Sequence, residues 1–171
     1  METFFINDTD IYKYNSGVSK NLDPTWYESF IRDAQLDYIN KILGADLAAE
    51  ILDEIANNTL TQLNEDLLNN YIKICHSIYT LYKAFPFLHV RVENSGISFN
   101  IDVTQQSIDS KRLAELRFEI LTNADNRAND LQNYLETNYL DYPLYNSTKC
   151  KNKTVIFGVG FHGSKKNKIR W

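Results

Sequence analysis

The chain has 171 residues, of which 43% are hydrophobic and 23% charged, and its formal net charge is −4. This length suits one domain with a substantial core, and the composition excludes a wholly disordered chain or a membrane protein. No apolar run approaches the roughly 20 residues that span a bilayer, and residues 1–8 lack the basic and apolar regions of a secretory signal, so we expect folding in a cytoplasm.

Charge divides the chain into two unlike segments. Residues 1–146 carry 11 Lys and Arg against 22 Asp and Glu, or −11, whereas residues 147–171 carry seven basic residues and no acidic one. We therefore predict two parts with different partners, an acidic body over residues 1–146 and a basic, extended C-terminal arm over residues 147–171.

The first predicted elements are a short helical turn and a long helix. Residues 7–10 are suited to cap a turn over residues 11–14. The long helix is predicted from Asp23, a good N-cap, to Leu43, where Gly44 supplies the stop. Its apolar stripe is Tyr27, Phe30, Ile31, Ala34, Tyr38, Ile39 and Ile42.

Two more helices follow. The pattern predicts one over residues 46–56, ended by two asparagines, and another over residues 64–85, after which Pro86 forbids simple continuation. The apolar face of the first is Leu47, Ile51, Leu52 and Ile55, and that of the second is Leu67, Leu68, Tyr71, Ile72, Cys75, Ile78, Tyr79 and Tyr82.

The hydrophobic period then changes from 3.6 to 2. Apolar residues alternate on both sides of residues 94–96, so a two-stranded hairpin is predicted at about 87–102. A lone hairpin is marginally stable in water, so it must lie on the helices or pair with a neighbouring chain. The candidate inter-subunit residues are Val90, Val92, Ile97, Phe99 and Ile101.

The last predicted helix covers about residues 107–138. A helix of ~28 residues is ~42 Å long, which exceeds what a compact four-helix core requires. Its face is Leu113, Leu116, Ile120, Leu121, Ala124, Ala128, Leu131, Tyr134 and Leu135. The predicted fold class is therefore mostly α: a four-helix body with a long C-terminal helix, one β-hairpin insertion and an extended, strand-like C-terminal arm.

The arm contains one strand-like run with a single apolar face and ends in a basic segment. Adding this strand to the sheet edge of another protein, with the lysines meeting an acidic rim, is the favoured interpretation. Packing on the chain's own hairpin is an alternative, and so is nucleic-acid binding, which the charge of the body opposes. The candidate partner-binding residues are Val155, Phe157, Val159, Phe161, Lys165, Lys166, Lys168, Arg170 and Trp171.

No motif indicates catalysis, a metal or a cofactor. The histidines, which are His76, His89 and His162, lie in no recognisable triad. Cys75 and His76 are adjacent, so on a helix their side chains point ~100° apart and do not form the i, i+4 pair that a metal prefers. A structural disulfide between Cys75 and Cys150 is not expected, since Cys75 falls on an apolar stripe.

Two further patterns do not indicate a functional site. The glycines at 158, 160 and 163 lack both the Gly-Lys-Ser/Thr ending and the following helix of a phosphate loop. The acidic pairs at 53–54 and 65–66 fit exposed helix positions or first turns, where carboxylates stabilise the helix dipole. We therefore predict that the protein is not an enzyme.

The order of these elements resembles a known family over residues 5–145. The matching segments are Ile6-Asn7-Asp8 with Ile11-Tyr12-Lys13-Tyr14, Val18 to Asp23, Phe30 to Gln35, Ile42-Leu43-Gly44, Tyr71 to Pro86, Tyr134 to Asn138, and Tyr142-Pro143-Leu144-Tyr145. They resemble the head-to-tail connector, adaptor or head-completion proteins of tailed bacteriophages, especially phages of Bacteroidetes. The strand-like and basic parts of the arm are not part of that pattern.

The resemblance implies a structural virion protein. Such proteins form a ring, often a dodecamer, beneath the portal at the head–tail junction, and a C-terminal segment often engages the portal. The implied partners are copies of itself, the portal protein, the next ring of the tail or connector, and DNA that passes without specific binding; the implied site of assembly is the cytoplasm of the bacterial host. The alternative is a small helical nucleic-acid-binding or regulatory protein that uses its basic tail.

Overall fold

A computed structural model describes residues 2–15, 24–88, 90–93, 96–99 and 110–145 of the chain. Of the side chains in these segments, those of residues 24–26 and of the two short strands are outside the description. Helices account for most of the described residues, and two of them are long enough to define the shape of the body.

The helices are α1 (Asp8–Tyr14), α2 (Pro24–Ala34), α3 (Asn40–Leu43), α4 (Ala45–Asn57), α5 (Gln62–Leu67), α6 (Lys73–Leu88) and α7 (Ser110–Thr137). Two π-helical segments, π1 (Gln35–Ile39) and π2 (Leu68–Ile72), join α2 to α3 and α5 to α6, so residues 24–43 and 62–88 form continuous rods. Strands β1 (Val90–Glu93) and β2 (Gly96–Phe99) are antiparallel, with Val90 opposite Phe99.

Local capping chemistry fixes the ends of several helices, as the sequence predicts. The Asn7 side chain accepts a hydrogen bond from the Asp10 N–H (3.1 Å), and the Asp10 carboxylate accepts one from the Asn7 N–H (3.2 Å), which forms a capping box at α1. Gly44 has φ of 82° between α3 and α4, a conformation that glycine adopts without the steric cost of a Cβ. Asn58 ends α4 in the left-handed region.

Helix α6 is the centre of the body. Helix α7 packs along one side of it, and α1 and α2 pack along another. Between α6 and α7 lie fully buried residues such as Cys75 and Leu131, and each large apolar side chain removed from water in this way contributes ~1.5–3 kcal/mol. A second, smaller apolar cluster lies among α1, α2 and the end of α6 and consists of Ile6, Ile11, Tyr27, Ile31 and Ala84.

The β component of the predicted fold class requires correction. Residues 87 and 88, which the alternation assigned to a strand, form the last turn of α6, and both described hydrophobic clusters are built by helices, the N-terminal segment and the turn after α7. The fold class is therefore corrected from a helical body with a β-hairpin insertion to a mostly α fold. The alternation is misleading at its start, because Phe87 and Leu88 belong to α6, and the paired strands cover only Val90–Glu93 and Gly96–Phe99.

The predicted stop at Pro86 was also wrong. Helix α6 continues through Pro86 to Leu88. In the last turn of a helix the missing proline N–H removes only one intrahelical hydrogen bond, to the Tyr82 carbonyl. The extra turn also brings the Phe87 ring within 5.4 Å of the Phe30 ring, between ring centroids, so the packing of this turn on α2 offsets that loss.

Candidate assembly surfaces

The two halves of α7 differ in burial. Over residues 124–137 the helix buries one side chain in each turn, and these are Ala124, Ala128, Leu131 and Leu135. Over residues 110–123 no side chain is buried, although the helix is unbroken. At 1.5 Å per residue, ~21 Å of helix therefore lies at the surface of the described body.

The exposed half of α7 carries an apolar surface. Leu113, Leu116 and Ile120 are half-buried on the side that faces α6, and Phe118 is 69% exposed. A phenylalanine side chain of this exposure leaves most of its apolar area in water, and that area becomes favourable binding energy once a partner covers it. We name residues 110–123 the free half of α7.

Polar contacts hold the free half against α6 and along itself. Arg112 lies 3.2 Å from the Glu115 carboxylate and 3.8 Å from that of Glu119, and the Arg117 guanidinium lies 4.9 Å from the centroid of the Tyr82 ring. Exposed ion pairs contribute little, ~0.2–1 kcal/mol, so these contacts orient the helix more than they stabilise it.

At the boundary between the halves, the Tyr79 hydroxyl donates a hydrogen bond of 2.7 Å to the Asp125 carboxylate. Burial of the Tyr79 hydroxyl, followed by this bond and the charge of Asp125, raises the pKa of Tyr79. The phenol therefore stays protonated and remains a donor at any physiological pH.

A second exposed apolar surface lies at the other end of α7. Tyr139 and Leu140 follow the last turn of the helix, and Leu140 is 79% exposed. The Tyr142 hydroxyl donates a hydrogen bond to the Leu63 carbonyl (3.1 Å) and so brings the start of α5 to this turn. The Leu63 side chain is also exposed. From Phe118 to Thr137 the helix rises ~29 Å, so the two apolar surfaces are well separated.

A polar groove of about 460 Å³ runs between π2 and the buried half of α7. Its floor is the stacked pair of Tyr71 and Tyr134, whose ring centroids are 4.2 Å apart. Its walls include the Arg127–Asp130 ion pair (3.2 Å) and several amides.

An acidic cleft of about 300 Å³ lies between α4, the start of α5 and the turn after α7. Its carboxylates are Glu50, Glu54 and Asp141. The sequence predicts an exposed position for Glu54, but its Oε2 accepts hydrogen bonds from Asn64 Nδ2 (2.9 Å) and from the Thr61 N–H (3.3 Å) and so holds the α4–α5 connection.

The residues that most resemble catalytic groups belong to the core. Cys75 is a free, buried thiol, and burial raises its pKa to about 12, so it is not a nucleophile at neutral pH. His76 is fully buried and its pKa is lowered to about 4 by burial, so its ring is neutral. Within the described segments, no group of three metal-ligating side chains is close enough to bind a metal.

His76 and Gln35 tie the rod of residues 24–43 to its neighbours, a role that the sequence did not reveal. His76 Nε2 donates to the Ile31 carbonyl (3.0 Å), while Gln35 Oε1 accepts from the Phe5 N–H (3.1 Å). These bonds connect the N-terminal segment, α2 and α6 at one point. The only available sign was a polar residue at a position adjoining an apolar stripe.

Most of the predicted site residues lie outside the residues that the structure describes. All nine partner-binding residues of the arm lie outside the described residues, and so does Ile101. The backbone of the other inter-subunit candidates, Val90, Val92, Ile97 and Phe99, lies in β1 and β2, but their side chains are not described. Phe118 and Leu140 were not predicted as contact residues; the sign for Phe118 was an aromatic residue off the apolar stripe of α7.

Comparison with known proteins identifies a family. A profile described as "Family of unknown function (DUF6712)" matches residues 39–155, which is more than half of the chain. The chain belongs to this family. No match was found among curated proteins or among solved structures.

The DUF6712 region begins at Ile39 in π1 and includes α3 to α7. It therefore contains both halves of α7, the polar groove and the acidic cleft, and it extends into the arm as far as Val155. Of the described helices, none combines the length and apolar character needed to cross a bilayer.

Proposed function

We propose that the protein is a structural subunit of the ring that joins the portal to the tail of a tailed bacteriophage, through which DNA passes. The observation that carries the proposal is the free half of α7, residues 110–123, which buries no side chain in the described body and presents Phe118 to solvent. Apolar side chains that a helix leaves in water are available to another surface, and a neighbouring subunit would supply such a surface.

The placement of the apolar surfaces fits a ring. A closed ring needs a heterologous contact, in which one patch of a subunit meets a different patch of the next. Phe118 at one end of the body and Leu140 at the other are two such separate patches. A two-fold dimer, by contrast, requires one patch that matches itself.

The proposed partners follow from the same role. Copies of the chain form the ring, with twelve subunits as the proposed number, and the ring contacts the portal protein on one side and the next ring of the tail or connector on the other. The proposed location is the head–tail junction of the virion, after assembly in the bacterial cytoplasm. No catalytic role is proposed.

The charge of the body agrees with DNA passage. Residues 1–146 carry a net −11, and DNA slides past an acidic surface without adhering, whereas fixed basic side chains hold its phosphates. The arm, with seven basic residues, is proposed to reach a protein partner instead.

Immunogold electron microscopy tests the location. Particles purified from the phage that encodes this chain, labelled with antibodies against the body, are expected to carry gold at the neck between head and tail. Label on the capsid surface or tail tip, or absence of the chain from purified particles by mass spectrometry, would contradict the proposal.

Substitution of Phe118 tests the contact. Phe118→Glu places a charge in the proposed interface, so ring assembly on the portal is expected to be lost while the melting temperature of the isolated subunit stays unchanged. Gln132→Glu, also exposed and on the same helix but in the other half, adds the same charge and is expected to assemble normally. Equal assembly of both variants would mean that the free half of α7 does not form the subunit contact.

The basic arm favours a second candidate, a helical nucleic-acid-binding or regulatory protein. Seven Lys and Arg without an acidic residue are suited to neutralise phosphates. Fluorescence anisotropy with a duplex DNA separates the two functions. Tight binding that weakens steeply with salt and disappears when residues 147–171 are deleted supports the second function, whereas weak binding by both forms supports the connector.

A further inference from the structure

We propose that the acidic cleft holds the lysine-rich start of the chain's own C-terminal arm, residues 149–153, as an intramolecular docking site. The proposal does not depend on the connector function, because it concerns how the arm leaves the body and not what the ring contacts.

The cleft has the shape and lining that a lysine side chain requires. Leu63, Tyr142 and Pro143 form apolar parts of its wall, and the carboxylates of Glu50 and Asp141 lie at its rim. A lysine packs its methylene stem on apolar surface while its ammonium group stays with water or a carboxylate. The hydrogen bond from Tyr142 to Leu63 keeps the two sides of this wall together.

The three carboxylates of the cleft take part in none of the ion pairs found among the described residues. Residues 42–72 contain six acidic residues and no Lys or Arg. The ion pairs found among the described residues lie elsewhere, for example Lys73 with Asp10 at 3.6 Å, and none involves Glu50, Glu54 or Asp141. Glu50, Glu54 and Asp141 are therefore without a cationic partner among the described side chains.

The arm supplies the matching charge at a short distance. The stretch 149–153 is Lys-Cys-Lys-Asn-Lys, with no acidic residue, and lysines spaced two apart present their ammonium groups on one side of an extended chain. Pro143 lines the cleft, and the described chain ends two residues later at Tyr145. Four residues from Tyr145 to Lys149 span at most ~14 Å.

Proximity and the family match both favour the chain's own arm over that of another molecule. A short flexible linker gives an effective concentration in the millimolar range, far above that of a second subunit in solution. The family profile spans residues 39–155, so the cleft and the stretch 149–153 belong to the same family region, whereas the basic end at 165–170 lies outside it. Docking of 149–153 leaves residues from 154 onward to reach another protein.

Disulfide trapping tests the proposal on the full-length chain. Leu63→Cys places a thiol at the cleft, and native Cys150 lies in the proposed ligand, while Cys75 is buried and does not compete. Leu36→Cys, an exposed position on π1 outside the cleft, is the matched control. Under mild oxidation we expect an intramolecular disulfide between the introduced thiol and Cys150 to form at least about fivefold faster in Leu63→Cys than in the control.

Charge and salt provide the second measurement, which requires no engineered cysteine. Alkylation of Cys150 is expected to be slow in the native chain and to accelerate severalfold in Glu50→Gln/Asp141→Asn or in 1 M salt, where the Debye length falls to ~3 Å. Equal trapping in the two cysteine variants, disulfides formed only between molecules, or alkylation indifferent to charge and salt would each overturn the proposal.

Discussion

The two halves of α7 share one helix and one apolar spacing, yet only one of them contributes fully buried side chains to the core. Residues 124–137 bury a side chain in every turn against α6, whereas residues 110–123 bury none. The difference shows that the length of a helix reflects more than the stability of its own domain. Under the proposed function, the half that adds little to the core is the one that contacts a neighbouring subunit.

The largest expected effect is a loss of stability when a side chain in the buried half of α7 is truncated. Leu131 is fully buried, so Leu131→Ala is expected to lower the free energy of unfolding by ~2–5 kcal/mol through lost apolar burial and the cavity that remains. Phe118→Ala, in the free half, is expected to change it by less than ~0.5 kcal/mol. Urea unfolding followed by circular dichroism measures both, and similar losses would erase the distinction between the halves.

The next effect concerns His76, which lies on the side of α6 that faces α2. His76 has a folded pKa of about 4 against an ordinary value of 6.5, because burial disfavours its charged form. The unfolded chain therefore binds a proton that the folded chain does not, and stability present above pH 6.5 is lost as the pH falls toward 4, by up to ~3 kcal/mol.

His76→Gln removes this titration and keeps a side chain able to donate to the Ile31 carbonyl. Thermal unfolding of the two proteins between pH 4.5 and 7 measures the difference. The native chain is expected to lose melting temperature more steeply over that range, and parallel curves would show that His76 does not carry the pH dependence.

A smaller effect is expected at the boundary between the halves. Tyr79→Phe removes the hydrogen bond to Asp125 and is expected to cost ~1 kcal/mol. Asp125→Asn weakens the same bond, so the double variant is expected to cost less than the sum of the single ones. Strict additivity in denaturant unfolding would mean that the bond does not couple α6 to α7.

The sequence predicted α6, α7 and the apolar face of each, but not the difference in burial between the two halves of α7. Leu113, Leu116 and Ile120 continue the stripe formed by Ala124 and Leu131, and periodicity states which side of a helix is apolar. It does not state how far along the helix a neighbour extends. The end of α6 was also misplaced, since the helix ends at Leu88, three residues beyond the predicted end.

The candidate site was less predictable than the fold. The π1 and π2 segments have no recognised sequence pattern, and π1 brings Gln35 to the Phe5 N–H, a contact between distant segments. Phe118 was visible as an aromatic residue off the stripe, but isolated exposed aromatic residues are common. Its location on a helix half without fully buried side chains is what identifies Phe118 as a candidate contact residue.

Hydrogen–deuterium exchange tests the central claim most directly. In the isolated subunit, amides of residues 110–123 are expected to exchange faster than those of residues 124–137, because few buried contacts hold that half. On assembly with the portal, protection of residues 110–123 is expected to rise by at least about tenfold, while that of residues 124–137 stays constant. Unchanged protection of residues 110–123 in the assembled ring would contradict the account.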